Sequence, residues 1–251
     1  MTLHRFFIPT QYIAEGIITL PIELKKQLTK VLRLKTGDKI ILLDGTGFEY
    51  LVELNHQDEN IQGKIISKKD NNSEPKVKIT LYQSLTTKDK FETVLQKGTE
   101  VGVTKFIPIQ TDRSLLKIID IKPDRMERFK KVIQEAAEQS ERGIVPELGA
   151  VLNFEQAIEN ASISGSILIA WEKEDQVVLS DVLSEFLSKT ANIGIFIGPE
   201  GGFDQQEIEF AVSKGAQLVS LGPRVLRTET AGLVFASLIL FAGKELDKNR
   251  S

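Results

Sequence analysis

Apolar positions in the first seventy residues come in short runs at two different spacings. Leu3 to Ile8 and Ile17 to Leu20 read as strands. Glu23 to Leu32, which follows Pro21, sets Leu24, Leu28, Val31 and Leu32 at helical spacing. Strand texture returns at Asp38 to Leu43, Phe48 to Leu54 and Ile61 to Ser67. The Asp44-Gly45 pair between two of these runs predicts a hairpin. Short strands with one helix predict a small β-barrel.

A polar stretch, Lys68-Lys69-Asp70-Asn71-Asn72-Ser73-Glu74-Pro75, has linker composition. It suggests a boundary that leaves residues 1–72 as one domain and 73–251 as another. Beyond it strands and helices alternate. Strands are expected at Val77 to Gln83, Lys105 to Gln110, Ser166 to Ala170, Ile193 to Ile197 and Leu218 to Leu221. Helices are expected at Lys90 to Val101, Pro123 to Arg142, Phe154 to Asn160, Leu179 to Leu187, Gln205 to Ser213 and Thr228 to Glu245. Such alternation is the mark of an α/β fold, a mostly parallel sheet covered by helices. The last helix is apolar on most sides, which fits a core or a subunit interface.

Composition narrows the chemistry. Hydrophobic and charged fractions of 41% and 27% are those of a globular protein in water. The absence of cysteine removes thiol catalysis, disulfides and thiolate metal sites. His4 and His56 stand far apart, so no metal is expected. The N-terminus has no signal-peptide core, and the most apolar run, Ala231 to Ala242, is shorter than the roughly 20 residues a bilayer needs. A cytoplasmic protein without a membrane partner is the expectation. The net charge of −3 argues against a nonspecific nucleic-acid coat, but leaves room for an enzyme that docks on RNA through a local basic patch.

Two glycine-bearing loops follow strands in the second half. Gly198-Pro199-Glu200-Gly201-Gly202-Phe203 precedes a helix with Asp204 at its N-cap and Glu207 at N3. Leu221-Gly222-Pro223-Arg224-Val225-Leu226-Arg227 precedes the helix from Thr228. Ligands of open α/β sheets bind outside the carboxyl ends of strands, where both loops are expected, in successive βα units. Neither loop carries the dinucleotide fingerprint or a G-K-S/T phosphate loop. Glycines that admit close backbone approach still suit a nucleoside-like ligand.

These two loops together resemble the RsmE family of 16S ribosomal RNA uridine-N3 methyltransferases, within the SPOUT superfamily. Arg5-Phe6-Phe7, Val31-Leu32-Arg33 with Gly37-Asp38, Lys97 to Val103, and Glu135 to Ser140 with Arg142 match further blocks of that family in order. The resemblance implies a SPOUT-type α/β domain with a deep trefoil knot, preceded by a PUA-like β-barrel. It also implies a homodimer, the cofactor S-adenosyl-L-methionine, and 16S ribosomal RNA or the small ribosomal subunit as partner. The cofactor would contact Leu168, Ala170, Ile197, Gly198, Pro199, Glu200, Gly201, Leu221, Gly222, Leu226, Thr230 and Ala231.

Uracil N3 is a poor nucleophile until its proton leaves, so a base or a cation near the methyl donor would help. Glu172 and Glu229 are candidates for the base or for orienting groups, and Arg227 for anion stabilisation. Arg227 and Glu229 could equally form an exposed first-turn pair. Arg5, Lys30 and Arg33 are candidate RNA contacts, with a solvated face as the plainer reading of the last two. Trp171 could pack or stack. The alternatives that stay open are a SPOUT enzyme acting on another RNA or base atom, and a noncatalytic RNA-binding protein.

Overall fold

The computed structural model describes residues 3–14, 16–57, 60–118 and 121–247. They divide into two units. One is 1–74 together with 137–145, and the other is 75–136 together with 146–251. The boundary after residue 74 falls within the polar stretch, whereas the return of 137–145 to the first unit has no counterpart in a division of the chain into two consecutive pieces.

In the first unit, strands β1 (Arg5–Phe7), β2 (Ile17–Thr19), β3 (Lys39–Leu43), β4 (Phe48–Gln57) and β5 (Asn60–Asp70) form one sheet in the order β1-β3-β4-β5-β2. Phe6, Ile8, Ile18, Leu24, Leu28, Ile40, Leu42 and Val52 are among the side chains of its core. Lys68, Lys69 and Asp70 lie in β5 rather than in a linker, opposite Tyr50, Glu49 and Phe48. Lys68 and Lys69 suit this strand end because each finds a cross-strand partner. The Lys68 ammonium sits 3.7 Å from the Phe48 ring centroid, and Lys69 pairs with Glu49 at 2.8 Å.

The helix expected over 23–32 begins as α1 (Ile22–Lys26) and widens into a π turn, Gln27–Val31. The Thr29 hydroxyl donates to the Lys25 carbonyl at 2.8 Å, a side-chain bond that competes with the helical ladder. Arg33, with φ +54°, ends the segment in the left-handed region usual for a helix stop.

Segment 137–145 is tied into this unit by side chains. Phe7 N–H donates to Glu138 Oε1 at 3.0 Å, and Arg142, itself buried, meets Glu74 Oε2 at 2.6 Å. That pairing gives Arg142 a structural role within this unit.

The second unit opens with β6 (Lys78–Ser84), α2 (Lys88–Val101), β7 (Lys105–Gln110) and α3 (Pro123–Gln139), the last of which straddles the division between the units. Short strands β8 (Glu147–Leu148) and β9 (Leu152–Asn153) lead to α4 (Phe154–Ser164), β10 (Ser166–Ala170) and α5 (Leu179–Lys189). Then come β11 (Asn192–Ile197), α6 (Gln205–Ser213), β12 (Gln217–Val219) and α7 (Thr228–Ala242). Helix α3 stops three residues short of the expected Arg142, and Glu141 lies just beyond at φ +63°.

All of this unit's strands pair in parallel, in the order β12-β10-β11-β6-β7-β8, with β9 also on β7. Strands buried on both faces read as continuous apolar runs, as Ile193 to Ile197 does. Tyr82, Phe196, Ile167 and Ile169 pack with Phe154, Ile158 and Ile208 of α4 and α6. The opposite face carries Leu81 and Gln83, against which Gly232 of α7 sits so closely that a Cβ there would lie 3.1 Å from Gln83 Oε1. A mixed α/β fold with a small N-terminal β unit is thus what the chain adopts. Among the described residues no helix is long and apolar enough to cross a membrane.

Candidate functional site

The carboxyl ends of three neighbouring strands, β12, β10 and β11, hold the site. The two glycine loops follow β11 and β12 in successive βα units, as expected, and in the sheet β10 lies between those strands. Its own following turn therefore joins them. Residues 170–172, 174–175, 197–203 and 220–228 line one cavity of about 880 Å³, with Lys90 of α2, Val178 and Ala231 completing the wall. Pockets of roughly 300–1,000 Å³ suit a single small molecule or cofactor.

Local bonds fix the loops. Asp204 caps α6 through Gln206 N–H, and Glu207 Oε2 accepts the Asp204 N–H at 2.8 Å, the reciprocal capping box expected from the sequence. The other oxygen of Glu207 accepts the Asp112 N–H at 3.0 Å, binding the turn after β7 to the start of α6. Burial pushes the Glu207 carboxyl up, and these two N–H bonds pull it back only in part. Arg113 reaches from the same turn to the Gly201 carbonyl (3.1 Å) and Asp204 Oδ2 (2.8 Å). Thr228 Oγ1 donates to the Gly198 carbonyl at 2.7 Å and accepts from Gln83 Nε2 at 2.9 Å. One hydroxyl thereby joins β6, the loop after β11 and the first residue of α7.

Gly202 (φ +68°) is left-handed, and a Cβ there would fall 2.5 Å from Glu172 Oε1. Only glycine lets the Glu172 carboxylate lie on the loop. Glu200 pairs with Lys90 at 2.7 Å. Burial pushes the Glu200 carboxyl up, but the Lys90 bond and its own backbone N–H bring it below the usual glutamate range. Trp171 lines the cavity, and its indole nitrogen is buried without a partner.

Of the residues expected to meet a cofactor, Ala170, Ile197, Gly198, Pro199, Glu200, Gly201, Leu221, Gly222, Leu226 and Ala231 line this cavity. Leu168 does not; in register with Ile195 and through it Leu81, it is fully buried in the sheet core. Thr230 is exposed on the first turn of α7, outside the lining. Arg227 and Glu172 reach the cavity wall, whereas Glu229 lies behind it, 4.0 Å from both Arg227 and Lys90. Lys90, Gln83 and Arg113 were not singled out from the sequence. The rule that found the glycine loops, looking after each strand, would also have found Lys90 and Arg113 after β6 and β7.

In the first unit Arg5 is no free RNA contact. Its guanidinium bonds Glu49 at 2.8 Å and Glu141 at 3.1 Å, and its side chain is 13% exposed. Lys30 and Arg33 are exposed. Among the described residues no group of three or more His, Cys, Asp or Glu side chains is placed to hold a metal ion.

Residues 72–240 match the RNA methyltransferase domain family, and residues 28–66 match the RNA methyltransferase PUA domain. The chain belongs to this family of RNA methyltransferases. It is 34% identical to the ribosomal RNA small subunit methyltransferase E of Bacillus subtilis, over 85% of this chain and 86% of that one. The Synechocystis protein of the same name is 33% identical, over 92% and 75%. The enzyme of that name from Neisseria gonorrhoeae, solved bound to S-adenosyl methionine, superposes with a TM-score of 0.84 at 28% identity, over 96% of this chain and 98% of the other. The family's methyltransferase segment contains all the loops of the cavity.

Proposed function

We propose that this chain transfers the methyl group of S-adenosylmethionine to N3 of a uridine in 16S ribosomal RNA, working as a homodimer in the cytoplasm. One observation carries the reading: the turns after β10, β11 and β12, with the start of α7, converge on a single cavity inside the methyltransferase segment. Relatives named as small-subunit ribosomal RNA methyltransferases support the RNA assignment. The N3 position is inferred from the resemblance of the loop motifs, as is a knot formed by the loops of the second unit. The division of the chain into 1–72 as a PUA-like RNA-binding domain and 73–251 as the methyltransferase domain remains a proposal.

The lining fits this cofactor. The Trp171 indole N–H has no protein partner and can donate to a ligand. The backbone of Gly198 to Gly202 offers polar edges beside the apolar Ile197, Leu221 and Leu226. Glu172 and Glu200 supply negative charge suited to a sulfonium and an ammonium. S-adenosylmethionine supplies an electrophilic methyl group. The chain must then orient a uracil in line with that methyl and stabilise the anion left when N3 loses its proton.

Arg227 is the group proposed to stabilise that anion. It reaches the cavity wall, 83% of its side chain is exposed, and its ion-pair contact with Glu229 is a loose one at 4.0 Å. Glu172, on the wall opposite Gly202, is the proposed base or orienting group. Glu229 acts from behind the wall, on Arg227. Lys30 and Arg33 keep their proposed role as RNA contacts. Exposed Leu238 and Phe241 on α7 are the apolar surface proposed for the dimer.

The test is nucleoside mass spectrometry of 16S RNA from cells with and without the gene, beside calorimetric titration with S-adenosylmethionine. Loss of N3-methyluridine on deletion and saturable binding are expected. Persistence of that nucleoside in the deletion strain would refute the substrate assignment. Replacing Arg227 by alanine should abolish methylation in a folded protein.

A further inference from the structure

Lys90 stands apart from Arg224 and Arg227, the other cations lining the cavity. It comes from the first turn of α2, after the carboxyl end of β6, and not from a glycine loop. Its ammonium is 2.7 Å from Glu200 Oε1 and 4.0 Å from Glu229 Oε2. The side chains of Lys90 and Glu200 are each 34% exposed, and that of Glu229 only 18%. Glu229 Oε2 is buried and has no hydrogen-bond partner. A buried carboxylate oxygen without a donor is costly, and a nearby cation is what makes it tolerable.

The two carboxylates belong to different elements. Glu200 is on the loop after β11, and Glu229 is on the first turn of α7. Both face the same ammonium, so without it two negative charges would meet across the site. Glu200 also follows the buried Pro199 and precedes Gly201 and Gly202, which have no side chains to pack. The loop is anchored by the buried Pro199, by Glu200 through Lys90, and by the contacts that Thr228 and Arg113 make with its backbone.

We propose that Lys90 is a positioning residue for cofactor binding: through Glu200 it holds the loop Gly198–Gly202 in its ligand-ready shape, and it keeps Glu200 and Glu229 from repelling each other. This inference rests on the methyltransferase reading of the cavity. It assigns Lys90 no contact with the reacting atoms. The bond to Glu200 also raises the Lys90 ammonium above the usual lysine range, so the cation is present throughout the working pH interval.

The experiment compares wild type, Lys90→Met and Lys90→Arg by calorimetric titration with S-adenosylmethionine across pH 4 to 8. A ¹³C NMR titration of the Glu200 carboxyl in the ligand-free proteins accompanies it. In Lys90→Met the Glu200 carboxyl loses the group that lowers it and keeps the burial that raises it, so its midpoint moves up. Cofactor binding should weaken by about tenfold, and the acid limb of the binding profile should move up with Glu200. Lys90→Arg should restore both, which a purely space-filling role of the lysine stem would not require.

Wild-type affinity in Lys90→Met, or an unmoved Glu200 midpoint, overturns the proposal. If Lys90→Met does not fold, Glu200→Gln removes the same ion pair. It should lose affinity about tenfold and lose the acid limb, and unchanged binding again overturns it. A wild-type protein that gives no binding heat refutes the reading of the cavity instead, while the NMR titration still judges the hold of Lys90 on Glu200.

Discussion

Replacing Thr228 by valine should loosen the methyltransferase unit at the point where β6, the loop after β11 and α7 meet. The substitution is nearly isosteric, so it removes chemistry and little volume. Thr228 is 6% exposed and its hydroxyl has both partners: it donates to the Gly198 carbonyl at 2.7 Å and accepts from Gln83 Nε2 at 2.9 Å. Gln83 is 1% exposed, and its Oε1 already has no partner. In the variant the whole Gln83 amide is buried without these bonds. Each buried polar group left unsatisfied costs about 1–3 kcal/mol, and the added methyl returns somewhat under 1 kcal/mol. A net loss of about 2–3 kcal/mol follows.

Urea unfolding followed by Trp171 fluorescence is the assay, because this lone tryptophan lies in the same unit as Thr228. Gln83→Leu with Thr228→Val removes both ends of the inner bond and leaves only the Gly198 carbonyl bereft. The double variant should therefore be less destabilised than the two single losses added, by roughly 1–2 kcal/mol. Thr228→Ser, which keeps the hydroxyl, should stay within about 1 kcal/mol of wild type. A wild-type midpoint for Thr228→Val, or strict additivity in the cycle, would show that the hydroxyl does not couple these elements.

Three further outcomes are expected. Gly202→Ala forces a side chain into the left-handed region and moves the Glu172 carboxylate, so about 1–2 kcal/mol of stability and several-fold of cofactor affinity should be lost, read by urea midpoint and calorimetry. Wild-type values for both would mean that the loop relaxes freely. Arg113→Ala frees the Gly201 carbonyl and Asp204; because the ion pair is solvent-exposed, stability should change by under about 1 kcal/mol while cofactor affinity falls. In the first unit, burial raises the Glu49 carboxyl, but the bonds from Lys69, Arg5 and Asn71 leave it below its usual 4.5. Its stabilisation is therefore complete above about pH 4.5 and fades as pH falls through the lowered value, and Glu49→Gln should flatten that acid loss in circular dichroism while lowering stability at neutral pH.

What could be read from the sequence, and what could not, follows the distance between partners. The cap of α6 was legible because Asp204 and Glu207 act on backbone within one turn, and that helix runs from Gln205 to Ser213 as expected. The apolar strands and the α/β alternation were legible for the same reason: periodicity is a local property. The ion pairs of Arg5, a candidate RNA contact, were not legible because Glu49 and Glu141 lie 44 and 136 residues away. The expected linker lost three residues to β5 because Lys68 and Lys69 find their partners only across the hairpin.

Lys90 is the sharpest case, since its partner Glu200 is 110 residues distant. No local pattern states that β11 lies beside β6, or that β10 is inserted between β11 and β12. Handedness rules restrict how each crossover turns, but they leave open which neighbour a strand chooses. Once the order β12-β10-β11-β6 is known, the rest is forced by geometry: the helix after β6 starts beside the loop after β11, and a lysine in its first turn reaches a glutamate on that loop. The site is therefore a property of strand order as much as of motif, and the glycine loops mark its place without naming the side chains that hold them.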